Sequence, residues 1–148
     1  MNYPCAPLWL KLFTGRADED ASAQPPRRES SHKDLIVWRK AMDLANESMK
    51  LADMLPQDEK HILVREIVRT AVRIPTKIAQ GHDLPARGFL RHLDNARGAV
   101  WRLRSTFDLA LMVGYLDENN LSDARLLADE VDRLLMILLD KLGARKWE

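Results

Sequence analysis

Arginine or lysine recurs at every fourth residue in one stretch of this chain: Arg65, Arg69, Arg73 and Lys77. A four-residue step overshoots one helical turn by about 40°, so on a helix these cations form a slowly winding band. Further on, Arg97, Trp101 and Arg104 share one helical face, and Arg91, Gly98 and Arg102 share another. Guanidinium groups grip phosphate oxygens bidentately, and an indole flanked by arginines can stack on an unpaired base. The candidate chemistry is non-covalent recognition of structured RNA or DNA by Arg65, Arg69, Arg73, Lys77, Arg91, Arg97, Trp101, Arg102 and Arg104. A second reading of the same residues is structural. In it Trp101 packs between protomers, the arginines pair with acidic residues later in the chain, and the protein is a protein–protein scaffold.

Covalent chemistry has weaker support. Di-metal bundles use Glu-x-x-His, but Glu66 is followed at that spacing by Arg69 and Glu130 by Arg133. No Gly-rich phosphate loop is present, and no serine or cysteine has a base at recognisable spacing. His61, the adjacent pair His82-Asp83, and Asp108 or Asp140 supply the letters of a helical metal-dependent phosphohydrolase, whose cation would activate water. The pair falls in a Gly81-to-Pro85 connection, where the alternative is ordinary surface polarity. The expectation is a non-enzymatic protein without metal or cofactor. Cys5 is the only cysteine, which leaves no internal disulfide and makes a reducing cytoplasm the default location.

The elements that must position these side chains are helices. A chain of 148 residues, 46% hydrophobic and 30% charged, suits one soluble helical domain. Its formal net charge of +1 is low for a nucleic-acid binder, but the charge is unevenly placed. Residues 58–104 hold ten basic and five acidic residues, and residues 115–142 hold three basic and seven acidic ones. No apolar run approaches the roughly 20 residues of a membrane span, and the first residues lack the order of a signal peptide.

Residues 1–31 have no apolar period and read as a disordered tail, 32–143 as a bundle, and 144–148 as a short C-terminal tail. Helix one starts near Lys33, capped by Ser31, with a seam of Leu35, Trp38, Met42, Ala45, Met49 and Ala52. Helix two starts at residues 56–58 and ends near Gln80, with Gly81 as a left-handed terminator and a kink at Pro75. Helix three runs from Pro85 to Val113, and Gly98 within it suggests close approach of another backbone. In helix four, Ser122 is the expected cap, with Leu121 and Leu126 as a hydrophobic staple. Four long helices with short connections predict an all-α, antiparallel up-down-up-down bundle. Helices one and four are apolar around much of their girth, which calls for burial against another copy.

Several short motifs then fall in a familiar order: Leu35 to Ala41 (LIVWRKA), Leu55 to Glu59 (LPQDE), Arg69, Ile74-Pro75, Ile78 to Gly81 (IAQG), Ala96 to Gly98 (ARG) and Gly114 to Leu116 (GYL). With that spacing the chain resembles the four-helix bundle proteins of bacterial ribosomal RNA intervening sequences. The resemblance covers roughly residues 34–142. It implies a homopentameric ring of four-helix protomers whose biochemical role is largely undefined. It also implies kinship with the accessory protein of diversity-generating retroelements, a basic pentamer that binds nucleic acid and a reverse transcriptase. This chain departs from the family pattern at Lys77, Gln80 and Arg102, where the family usually has Asn, Glu and an acid, so helices two and three are more basic. The expected partners are therefore other copies of the chain, RNA or DNA, or a reverse transcriptase or other nucleic-acid-processing protein, with no membrane.

Overall fold

The computed structural model describes residues 31–56 and 61–143. Residues 1–30, 57–60 and 144–148 lie outside it, and with them most of the expected tails and the predicted start of helix two. A 3-10 turn, His32–Asp34, precedes four helices: α1 (Ile36–Met54), α2 (His61–His82), α3 (Ala86–Val113) and α4 (Glu118–Lys141). α1 packs on α2 and α4, and α3 packs on α2 and α4, so the four stand at the corners of a square. The connections are short, residues 83–85 and 114–117 for the last two. Consecutive packed helices therefore run antiparallel, the up-down-up-down bundle expected from the periodicity.

Ser31 does act as a cap, but of the 3-10 turn. Its Oγ accepts from the Lys33 amide at 3.3 Å while Asp34 Oδ2 accepts from the Ser31 amide at 3.2 Å. Leu35 is extended, with φ −71° and ψ 126°, and α1 starts only after it. Leu35, Ala45 and Ala52 of the predicted seam are buried, together with Val37, Ala41, Leu44, Ser48, Leu51 and Leu55, whereas its Met42 and Met49 are exposed. Trp38 is half-buried, its ring edge-on to His32 at 5.2 Å. Ser48 tolerates complete burial because its hydroxyl donates to the Leu44 carbonyl at 2.7 Å.

α2 runs uninterrupted through Pro75, which is buried. Proline has no amide to give the Ala71 carbonyl, and Thr76 Oγ1 adds a side-chain bond nearby, donating to Val72 O at 2.8 Å. Gly81 does not terminate this helix. It lies inside it, where a Cβ would sit 2.6 Å from His92 Cβ and 3.0 Å from Phe89 Cδ2. The glycine is required by the close approach of α3, not by a left-handed turn. The left-handed positions are Gly114, φ +87°, which ends α3, and Gly143, φ +88°, just beyond α4.

α4 starts five residues earlier than the Ser122 cap predicts. Asp117 caps it: its Oδ1 accepts from the Asn120 amide at 2.7 Å, and Asn120 Oδ1 accepts from the Asp117 amide at 3.0 Å. Ser122 sits within the first turns, donating to Asn119 O, and Leu126 is 68% exposed, so no Leu121–Leu126 staple forms. Phe107, Leu93, Leu103, Ile67, Ile74, Leu135 and Leu138 fill the centre with no solvent contact to speak of. Each contributes about 1.5–3 kcal/mol by burial, which is what holds the surface helix faces in register.

Candidate nucleic-acid interface

The candidate residues divide into two groups by their surroundings. On the α3–α4 side the guanidinium groups are matched to carboxylates of the same chain. Arg97 Nε donates to Asp132 Oδ1 at 2.9 Å, and Asp132 is only 9% exposed. Arg104 Nη2 donates to Asp129 Oδ1 at 2.6 Å. About one turn of α4 closer to its start, Arg125 donates to Asp108 Oδ1 at 2.9 Å and faces Glu118 Oε2 at 3.3 Å. The Arg125 Nε is buried and oriented to make an ion pair with Glu118 but no hydrogen bond. Each step forward along α3 is met by a step back along α4, as antiparallel packing requires. Arg102 turns the other way, towards α2, and its Nε pairs with Glu66.

The band on α2 is treated differently. Arg65, Arg69 and Arg73 are exposed and Lys77 is half-buried. Arg91, on α3, is also exposed. Among the described residues, no carboxylate lies within ion-pair distance of these five cations. Their alignment follows from the fold. Ile67, Ala71, Ile74 and Ile78 face the core, and the fourfold spacing carries the band around the remaining surface towards α3.

Where the band reaches α3 there is a cleft of about 300 Å³. Arg69, Arg73, Thr70 and Glu66 line it from α2, and Asn95, Gly98, Ala99 and Arg102 line it from α3. Its one carboxylate, Glu66, is occupied by Arg102 and by the Thr70 hydroxyl, which donates to Oε1 at 3.2 Å. Arg69 and Arg73 have no carboxylate within ion-pair distance there among the described residues. Gly98 borders this space with no close backbone neighbour: a Cβ at that position meets nothing within 4 Å, contrary to the close approach expected from its cost. Trp101 is 50% exposed, with the Arg104 guanidinium 4.7 Å from its ring centroid. Arg97, expected on the other side of the indole, is turned to Asp132 instead.

On the opposite side of the square, between α1 and α4, lies a groove of about 410 Å³ bordered by Asp43, Glu47, Asp123 and Leu126. Glu47 accepts from Lys50 at 2.7 Å, and that bond pushes the Lys50 pKa up. This acidic groove escaped the sequence reading because its carboxylates come from helices far apart in the chain. The Asp129–Asp132 spacing, one turn apart on the helix that follows α3, is the signal that could have identified the partners of Arg104 and Arg97.

Two residues of the phosphohydrolase reading, His82 and Asp108, are engaged in other contacts. His82 Nδ1 lies 3.0 Å from Asp83 Oδ1, but its ring packs edge-on between Phe89 and His32, with centroids at 6.3 and 6.4 Å. Asp108 is held by Arg125, and the side chain of His61 lies outside the described residues. Among the described residues no three histidine, cysteine or acidic side chains converge on a point where a metal could bind. No described helix is long and apolar enough to cross a membrane.

Among the described residues the bundle displays fixed charge and no cluster of metal-binding groups. The sequence model of the 23S rRNA-intervening sequence protein family matches residues 33–136, and the chain belongs to that family. A comparison with curated proteins found no match.

Proposed function

We propose that the protein is an oligomeric helical bundle that binds the phosphate backbone of RNA or DNA through the basic surface of α2 and α3. The observation that carries this reading is the division of the arginines. The fold neutralises Arg97, Arg102 and Arg104 internally and leaves Arg65, Arg69, Arg73, Lys77 and Arg91 without partners among the described residues. Guanidinium groups concentrated on one surface without counter-charges create a local potential that attracts polyanions even at a net charge of +1. Arg97, Arg102 and Arg104 act in this reading by shaping and holding the surface, and Trp101 by stacking.

The resemblance to the intervening-sequence bundles supports a homopentameric ring in the cytoplasm. The exposed apolar side chains Met112 and Leu126, at 84% and 68%, are consistent with further burial between copies. A reverse transcriptase or other nucleic-acid-processing protein is a partner of the same surface, on the strength of the retroelement resemblance.

The acidic α1–α4 groove favours a second reading. It stands opposite the basic cleft, so one protomer's cleft could receive the next protomer's groove, and the protein would be a scaffold built of itself. Titration of labelled RNA and DNA at two salt concentrations separates the two. Phosphate binding predicts affinity that falls steeply with salt, because each neutralised phosphate releases counterion. No binding at low salt removes the nucleic-acid reading and leaves the scaffold.

A further inference from the structure

Gly98 has no reason for being glycine within the fold. It stands inside a 28-residue helix, where glycine is disfavoured relative to alanine. Gly81 is required by the packed side chains of His92 and Phe89, but a Cβ at Gly98 would meet nothing. What the missing side chain leaves room for is an approach to the α3 backbone from outside the chain.

The surroundings say what could approach. Gly98 borders the cleft whose α2 wall carries the free guanidinium groups of Arg69 and Arg73. The cleft's only carboxylate is already held by Arg102 and Thr70, so an incoming anion meets little repulsion. Three residues on from Gly98, on the adjoining helix surface, is Trp101. Its half-exposed ring is steadied by Arg104, itself anchored on Asp129. Side chains at that spacing start about 5–6 Å apart, comparable to the separation of phosphate and base within one nucleotide.

From this juxtaposition we infer that the cleft takes one phosphate of an unpaired nucleotide between Arg69 and Arg73, over Gly98, with a neighbouring base laid on Trp101. The inference rests on the phosphate-binding reading of the band and adds the class of nucleic acid. A duplex offers phosphates to the arginines but keeps its base faces stacked inside, so the indole selects single-stranded or looped segments.

The test uses the full chain and three probes: oligothymidine, an abasic backbone of the same length, and a duplex of the same length. Wild type binds oligothymidine about tenfold more tightly than the abasic strand, the scale of one base stacked on an aromatic ring. Trp101→Ala removes that ratio and leaves affinity for the abasic strand and the duplex unmoved. Gly98→Leu fills the approach and weakens both single strands by about tenfold, the loss expected for a displaced charge-assisted phosphate contact. Gly98→Ala, which the fold accommodates, gives a smaller loss at an unchanged or higher melting temperature, so reduced binding is not a failure to fold. Equal affinity for oligothymidine and the abasic strand, or unchanged binding by Gly98→Leu, overturns the inference while the band's phosphate binding stands. Unchanged nucleic-acid affinity with a smaller particle in Gly98→Leu also overturns it and assigns the cleft to a second copy. No binding of any probe at low salt overturns both readings.

Discussion

The α3–α4 seam and the outer side of α2 each carry a row of arginines, and the fold uses them in opposite ways. On the seam, Arg97, Arg104 and Arg125 meet Asp132, Asp129 and Asp108 across antiparallel helices, and one of those carboxylates is almost wholly buried. On α2, Arg65, Arg69 and Arg73 point away from the core with no carboxylate opposite them among the described residues. The residue type is the same. The difference is the neighbouring helix: carboxylates meet arginines across the α3–α4 seam, whereas around the cleft beside Arg69 and Arg73 α3 presents Asn95, Gly98, Ala99 and Arg102. An arginine is available for a ligand only when the helix beside it leaves it so. A paired arginine is part of the scaffold, and its loss should be felt in stability; an unpaired one should be felt in binding.

That contrast can be broken at the seam first. Arg97→Ala leaves Asp132 desolvated and alone, and because Arg97 is itself a third exposed the expected loss is about 2–3 kcal/mol, at the lower edge of the range for a broken buried pair. Urea denaturation measures it, and an effect below about 0.5 kcal/mol, the size of an ordinary surface substitution, would mean the pair is not a structural element. Gly81→Ala tests the packing that sets α2 against α3. Its new methyl group would overlap His92, so a loss of about 1–3 kcal/mol is expected in the same assay. Arg104→Ala removes a pair whose carboxylate is 61% exposed, together with the stacking on Trp101, for about 0.5–1.5 kcal/mol. Gly98→Ala is the smallest and has the opposite sign. With open space around the Cβ and the helix propensity of alanine, thermal unfolding should shift upward by the equivalent of up to about 1 kcal/mol.

The sequence carries the bundle plainly and the site only in part. Four apolar periods of sufficient length, separated by Pro56, Pro85 and Gly114, leave little choice of architecture. The seam of α1 is read correctly at Leu35, Ala45 and Ala52 and wrongly at Met42 and Met49, which are exposed where Ala41 and Ser48 beside them are buried. The cap of α4 is misread because Asp117–Asn120 and Ser122 are both good local signals, and only the first is where the chain turns. The two glycines exchange roles for a related reason. Gly81 looks like a terminator and is a packing contact, while Gly98 looks like a packing contact and borders open space. In each case the deciding neighbour lies on another helix. The same holds for the arginines: the band is visible as a period of four, but which of the eight candidate cations keep their charge free depends on register between helices, which no local pattern encodes.

Binding and stability are thus expected to reside in different arginines. The direct measurement is a crossed one on two double variants, Arg69→Ala with Arg73→Ala and Arg97→Ala with Arg104→Ala, scored for nucleic-acid affinity against salt and for unfolding free energy. The account predicts that the α2 pair unfolds within about 0.5 kcal/mol of wild type while its slope of log affinity against log salt flattens by about one unit per lost contact. The seam pair should be clearly destabilised and, studied where it is still folded, keep the wild-type slope. Destabilisation or loss of oligomer size in the α2 variant with an unchanged salt slope would contradict the claim.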